Sequence, residues 1–226
     1  KIEAIALAPH GACVARRRVP APRDDYGATL AAIAALVGSL ESEIGVRGSV
    51  GIGTPGALSP FHGRLRNSNS VWLNDRPIDR DLARLLGRPV RIANDADCFA
   101  LSEATDGAGR GARCCFGVIL GTGCGGGVVV DSRLLAGPNA IAGEWGHNPL
   151  PWPQADERPG PDCYCGKSGC IETFVSGPGL AADHRRHTGA TLSPPEILAS
   201  AEAGDRTARS TLERHAGRLA RGLASV

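Results

Sequence analysis

The 226-residue sequence contains no methionine, so the chain is expected to be a fragment or a processed product. It has no strong charge of either sign. Lys plus Arg number 25 against 23 for Asp plus Glu, a net charge of +2. That balance excludes a dominant electrostatic field of the kind that recruits nucleic acid or an anionic membrane. No apolar run is read as approaching the length of a bilayer span. No leader is visible, because Lys1 opens directly into a strand-like run. Hydrophobic residues are not lacking: at 42%, against 21% charged, the composition is that of an ordinary globular protein and argues against disorder. A chain of this length can bury a sizeable core.

Glycine is abundant at 31 residues and proline at 16, which implies many tight turns. The eight cysteines are unevenly placed. Cys13, Cys98, Cys114, Cys115 and Cys124 lie in apolar or glycine-rich surroundings and read as reduced small hydrophobes. Cys163, Cys165 and Cys170 fall within eight residues. That spacing suggests a metal rather than a secreted disulfide framework, and therefore a cytoplasmic protein.

Residues 2–8 and 13–19 read as strands around a turn at His10-Gly11. Residues 25–44 form a helical face through Leu30, Ile33, Ala34, Leu36, Val37 and Leu40, with Asp24 as N-cap. Residues 47–53 read as a strand, 79–87 as a helix closed by Gly87, 90–93 as a strand and 95–106 as a helix. Residues 114–121 and 127–130 read as strands, 131–170 as loop, and 194–204 and 206–224 as helices. The last helix is expected to bury Leu212, Ala216, Leu219 and Leu223. The alternation defines an α/β class. The glycines at 107, 109 and 111 place a boundary near residue 112, giving an N-terminal α/β lobe (1–112) and a C-terminal α/β lobe (113–226).

Four constellations carry chemistry. His147 with Cys163, Cys165 and Cys170 supplies one imidazole and three thiols, a donor set suited to tetrahedral zinc. Gly166 and Gly169 would let the chain fold around the ion. Four protein ligands close the shell, so the zinc would be structural; three buried free thiols and an unrelated His are the alternative. Asn94-Asp95 follows a strand and opens a helix, where a carboxylate is either catalytic or a helix cap. Gly121-Thr122-Gly123-Cys124-Gly125-Gly126-Gly127 contains a G-x-G-x-x-G string, but a strand follows it. It therefore reads as a glycine-rich hairpin whose amides face a phosphate, or as a plain hairpin turn. Glu144 and Glu172 flank the metal ligands, and zinc would bring both carboxylates and the imidazole together, an arrangement suited to the vicinal hydroxyls of a sugar. The basic runs Arg16–Arg18 and His184-Arg185-Arg186-His187 read as solvated surface.

Gly-Glu-Trp-Gly-His at 143–147, Cys-x-Cys-Gly-x-x-Gly-Cys-x-Glu at 163–172 and Asn-Asp-Ala at 94–96 together resemble the signatures of the ROK family of repressors, open reading frames and sugar kinases. Residues 69–74 and 147–152 look most like the bacterial fructokinases of the mannokinase type, with the N-acetylglucosamine kinases next. The resemblance implies an actin-like, ribonuclease-H-like fold with two α/β lobes, truncated here at both ends. It implies ATP-dependent phosphorylation of a hexose, fructose first, with Mg²⁺. Asp95 matches the general base. Asn69, Asn94, Asp95, Glu144, His147 and Glu172 match sugar-binding positions, and His147 would turn one ring nitrogen to zinc and the other to the sugar. Gly121, Thr122 and Gly123 match a phosphate loop. A homodimer, and no nucleic-acid or membrane partner, would follow.

The family's first phosphate loop would precede Lys1 and its adenosine segment would follow residue 226, so the chain is expected to lack half of the nucleotide site. Fifteen residues separate His147 from Cys163, longer than the usual family gap. Asp156, Glu157 and Arg158 make this stretch polar, and it is expected to loop into solvent. The alternatives to a fructokinase are an N-acetylglucosamine kinase or glucokinase of the same family, a sugar-sensing transcriptional regulator, and a non-catalytic sugar-binding module.

Overall fold

The computed structural model describes residues 1–226. Packing divides them into two units, Lys1–Cys98 with Pro138–Ala140, and Phe99–Gly137 with Ile141–Val226.

In the first unit, β1 (Ile2–Leu7) and β2 (Cys13–Val19) form an antiparallel hairpin, interrupted by a bulge at Ala6/Leu7. Arg16 and Arg18 pair with Glu3, and Arg17 with Glu43, all at the exposed strand edge, so this basic run is ordinary solvated surface. Helix α1 (Tyr26–Ile44) is capped by Asp25, whose side chain accepts from the Ala28 amide, and not by Asp24. Asp24 stands at φ 58°, a left-handed kink that directs the chain into the helix. Gly45 at φ 70° closes the helix.

Strands β3 (Val50–Thr54) and β6 (Val90–Asn94) pair in parallel, Val50 opposite Val90 through Thr54 opposite Asn94. A parallel pair needs a crossover. Here it consists of the short hairpin β4 (Ala57–Leu58) and β5 (Leu65–Arg66), followed by α2 (Ile78–Leu86). Asp79 and Asp81 in the first turn of α2 and Arg84 in its last complement the helix dipole, and Gly87 at φ 62° ends it. Leu30, Leu65, Leu73, Ile78 and Leu82 form the core, with Ile33, Ile52, Val90 and Ile92 packed against them.

Helix α1 corrects the reading of membrane-length runs. By length and composition it is long and apolar enough to cross a bilayer. Its run is broken by alanines, small polar residues and, near its end, Glu41 and Glu43, which hides it from a search for continuous large apolar residues. In the structure it buries Leu30, Leu36 and Leu40 within the unit.

Helix α3 (Asp95–Thr105) starts where β6 stops, and the division between the units falls inside it, at Cys98/Phe99, rather than at the glycines near residue 112. The cause is a close approach. A Cβ on Gly117 would lie 2.7 Å from the Ala100 Cβ, so the second half of α3 packs on the strand that carries Gly117.

The second unit contains the antiparallel sheet β7 (Cys114–Leu120), β8 (Cys124–Val130) and β9 (Arg133–Leu134). A long coil with short 3₁₀ turns leads to α4 (Ile171–Val175), α5 (Gly177–Thr188), α6 (Pro194–Glu202) and α7 (Arg206–Leu223). Neither α4 nor α5 follows from apolar periodicity. The cap chemistry does signal α5: the Ser176 hydroxyl accepts from the Gly179 amide, Pro178 sits in the first turn, and Gly189 at φ 75° closes the helix. His184, expected at the surface, is buried and hydrogen-bonded to Thr211 at 3.1 Å. The buried face of α7 is Ala208, Thr211, Arg218 and Gly222, while Ala216 and Leu223 are exposed. Of the expected face, Leu212 and Leu219 are partly buried and pack against the cores, and a buried arginine joins them because two carboxylates, described below, neutralise it.

Leu82 is fully buried at the centre of the first core. Leu82→Ala should cost about 2–5 kcal/mol, read as a lowered urea midpoint, because the transfer and cavity terms add.

Candidate functional site

In the first unit, the helix-cap question at Asn94-Asp95 has a geometric answer. The Asn94 side-chain oxygen accepts from the amides of Ala96 (2.8 Å) and Asp97 (3.1 Å), so Asn94 carries the cap. Its amide group donates to the Gly56 carbonyl at 3.1 Å, which fixes the strand end to the Gly53–Gly56 turn. Gly56 stands at φ 79°, and a Cβ there would collide with the Arg66 carbonyl, so this turn requires glycine. Asp95 uses Oδ1 for the Ala96 amide at 2.9 Å and is exposed. Its Oδ2 makes no hydrogen bond within the chain. Asn69 lies on an exposed loop clamped by Asn74, which accepts from the Ser68 amide and donates to the Ser68 carbonyl, each at 2.9 Å. Asn69 makes no hydrogen bond to Asn94 or Asp95.

In the second unit, His147, Cys163, Cys165 and Cys170 converge, with one ligand atom from each lying within 4.8 Å of the others. Cys163 Sγ is 3.5 Å from His147 Nδ1, and Cys165 Sγ is 3.6 Å from Cys170 Sγ. Tetrahedral zinc with Zn–S near 2.3 Å needs S···S separations of roughly 3.8 Å, so the donor set fits. Backbone geometry builds the knuckle. The Cys163 amide donates to the Lys167 carbonyl at 2.8 Å and the Gly166 amide to the Cys163 carbonyl at 3.0 Å. Gly166 at φ 85° and Gly169 at φ 72° make the two reversals that L side chains resist. Burial holds the Cys170 thiol up at about 12, with hydrogen bonds to Cys165 and Cys163 acting in the same direction. Burial also raises Cys163. Burial opposes the Cys165 thiolate as well, but hydrogen bonds from the Lys167 amide and from the neighbouring thiols outweigh it and lower that thiol instead.

The glycine-rich strand has a packing explanation in addition to any role in binding. A Cβ on Gly126 would stand 2.8 Å from the Trp145 ring, and a Cβ on Gly143 would run into the Gly126 carbonyl. Trp145 is buried against this strand, donates to the Gly125 carbonyl at 2.9 Å and meets Phe116 edge-on at 5.8 Å. Within the hairpin turn, Gly121 donates to the Gly123 carbonyl at 2.9 Å and Cys124 donates to Glu172 Oε2 at 2.8 Å. The amides of Thr122 and Gly123 have no partner in the chain and remain available to an anion. Glu172 is thus tied to the hairpin rather than standing alone on α4, and a Cβ on Gly123 would lie 2.6 Å from its Oε2. Glu144 is half-buried and precedes the 3₁₀ turn Trp145–His147.

Two features were missed from the sequence. The polar stretch between His147 and Cys163 does not loop into solvent. Glu157 is buried and pairs with Arg218 (2.7 Å) and Arg221 (2.8 Å), while Arg218 also reaches Asp183 at 2.8 Å. Burial opposes the Glu157 charge, but hydrogen bonds from Arg221 and Arg218 outweigh it and lower its pKa to about 2. Charges spaced 35 to 64 residues apart give no local signal of such a network. The second feature is Tyr164, whose hydroxyl is 3.1 Å from His147 Nε2 and whose ring stands edge-on to the imidazole at 5.1 Å. Its place between two clustered cysteines was the available clue.

Comparison with known proteins places this arrangement. The chain superposes on the ROK hexokinase of Thermus thermophilus with a TM-score of 0.81 and 33% identity, over 95% of this chain and 70% of that one. It superposes on a ROK family glucokinase from Streptomyces griseus, solved with glucose and AMPPNP, with a TM-score of 0.74 and 25% identity, over 97% and 73%. The fold is therefore the actin-like, ribonuclease-H-like fold of sugar kinases. In sequence, the chain is 40% identical to an N-acetyl-D-glucosamine kinase of Shigella flexneri over 214 residues, 93% of this chain and 71% of the relative. The ROK family model matches residues 1–226, and the chain belongs to the ROK family.

The Glu157 network sets a pH dependence. A carboxylate whose pKa falls on folding adds stability that is complete above its unfolded value and lost as pH drops through the folded one. Urea midpoints should therefore fall between pH 4.5 and about 2. Glu157→Gln should lower stability at pH 7 and flatten that acid limb.

Proposed function

We propose that this chain carries the sugar-phosphorylating machinery of an ATP-dependent kinase, with N-acetyl-D-glucosamine as the first candidate substrate. The observation that supports it most directly is the division of labour at α3: Asn94 caps the helix, which leaves Asp95 with an uncommitted carboxylate oxygen. Asp95 would accept the proton of the attacking hydroxyl as the oxygen moves in line toward the γ-phosphorus. Asn69, Asn94, Glu144, His147 and Glu172 would bind the sugar, their carboxylates and amides accepting and donating in pairs to vicinal hydroxyls. The amides of the Gly121–Gly123 turn would bind a phosphate. Mg²⁺ bound with ATP supplies charge neutralisation on the phosphate oxygens.

His147, Cys163, Cys165 and Cys170 would hold zinc in a structural role, since all four positions come from the protein. The ion would join the segment carrying Glu144 to the segment carrying Glu172. The cysteines all stand unpaired, which supports a reducing, cytoplasmic location. The preference for N-acetyl-D-glucosamine rests on relatives at 40% identity. Fructose is the second reading, favoured by the likeness of residues 69–74 and 147–152 to fructokinases.

The test is a coupled ADP-release assay on the full-length gene product across N-acetyl-D-glucosamine, fructose, mannose and glucose. Fastest turnover with the N-acetyl sugar is expected, and fastest turnover with fructose would reverse the order of the two readings. Asp95→Asn should reduce kcat at least ~100-fold while sugar affinity persists; retained phosphorylation removes Asp95 from the base role. Metal analysis should find about one zinc per chain. Cys165→Ser should lower zinc content and weaken sugar binding together, whereas unchanged sugar affinity breaks the proposed tether.

A further inference from the structure

We propose that Asn74 is a positioning residue for sugar recognition: its side-chain amide grips the main chain of Ser68 and so fixes the neighbouring, exposed Asn69. This role rests on the sugar-binding reading of Asn69 given above, and it adds a residue that acts without touching the sugar.

Residues 66–74 form a loop that is closed twice. At its base the Asp75 amide donates to the Leu65 carbonyl at 2.7 Å, and the Leu65 amide donates to the Arg76 carbonyl at 3.0 Å. Leu65 and Leu73 are buried, and the Trp72 indole donates to the Thr29 hydroxyl of α1 at 3.0 Å. The second half of the loop is thereby fixed to the core of the first unit. Asn74 follows directly and closes the loop again from within. Its Oδ1 accepts from the Ser68 amide and its Nδ2 donates to the Ser68 carbonyl, both at 2.9 Å. A carboxamide presents an acceptor and a donor on one planar group, whereas a carboxylate of the same size presents two acceptors.

The grip falls on both sides of Asn69. Ser68 is buried, and its hydroxyl accepts from the Ser70 amide at 3.1 Å. Asn69 is thus an exposed residue between two neighbours whose main chain is held. Asn67 makes a left-handed bend at φ 58° immediately before the clamped serine. The same stretch rests on Gly56, where a Cβ would collide with the Arg66 carbonyl and stand 2.8 Å from the Ser68 amide nitrogen. The Gly56 carbonyl accepts in turn from Asn94 Nδ2 at 3.1 Å. A path of main-chain contacts therefore runs from Asn74 through Ser68 and Gly56 to Asn94, the residue before Asp95. The clamp registers Asn69 against the strand end that carries the proposed base, although Asn69 itself bonds to neither Asn94 nor Asp95.

The experiment compares the full-length parent with Asn74→Asp, Asn69→Ala and the double variant. Asn74→Asp keeps the size and one acceptor but sets a second carboxylate oxygen against the Ser68 carbonyl, which opens the clamp. Affinities for N-acetyl-D-glucosamine and fructose are measured calorimetrically without ATP, followed by kcat and KM. Asn74→Asp should weaken binding of the sugar that the parent binds more tightly by about tenfold, with KM rising in step and kcat within about threefold. In the Asn69→Ala background the same change should cost less than about twofold, because the clamp then has no ligand to position. Ser68→Ala, which releases only the Ser70 amide, is the gentler variant if Asn74→Asp fails to fold. It should weaken binding about threefold, again only where Asn69 is present.

Equal losses in the two backgrounds overturn the proposal, since Asn74 would then act on the fold and not through Asn69. An unchanged affinity in Asn74→Asp overturns it as well. If Asn69→Ala alone leaves the affinity unchanged, the sugar-binding reading of Asn69 fails and the proposal falls with it. A parent that binds sugar without turnover refutes the kinase reading alone, and the affinity cycle still decides the role of Asn74.

Discussion

The contact between the indole of Trp145 and the bare backbone of β8 governs the second unit. An aromatic ring can lie this close to a strand only where side chains are absent, and Gly126 provides the opening. With Trp145 seated and its N–H held by the Gly125 carbonyl, its neighbours Glu144 and His147 are placed on a single short turn. Gly143 and Gly146 extend the same requirement, since a Cβ on either would run into β8 backbone. Burial of the indole at one point thus sets the positions of a carboxylate and a thiol-facing imidazole. The apolar body of Trp145 also joins Ile171, Phe174 and Val175, so α4 and its Glu172 are registered on the same core.

The first unit solves its positioning problem differently. A parallel pair of five residues runs in unbroken register to Thr54 and Asn94, so a turn and a helix start at the same level. Asn94 then bonds in both directions, to the helix amides and to Gly56, and holds Asp95 at the end of a rigid strand. Sites built on element ends tolerate little drift.

Much of this was legible in the sequence. The His/Cys cluster could be read because the chemistry and spacing of its cysteines are local, and His147 because its string accompanies them. The helices with apolar periodicity or clear caps, α1, α2 and α7, appeared within a residue or two. What could not be read involves partners distant in sequence. Arg218 looks like surface until Glu157 and Asp183 are found beside it, and His184 until Thr211 is. The glycines of β8 suggested phosphate binding because the tryptophan that Gly126 admits lies some twenty residues later. Assigning Asn94 rather than Asp95 to the helix cap required coordinates, since either side chain can cap. The likeness to fructokinases rested on short strings, whereas relatives similar over most of the chain are N-acetyl-D-glucosamine kinases.

The Glu157 clamp also changes the statistics of the loop that brings His147 and the three thiols together. Fifteen residues link His147 to Cys163, a span whose ends would ordinarily wander and meet at an entropic cost that grows with length. With Glu157 held by Arg218 and Arg221, the span is divided, and only residues 158–162 separate the fixed point from the first thiol. Much of the search is thereby completed when the chain folds. The effective concentration of the three thiols around the imidazole is thus set by an ion pair to a distant helix.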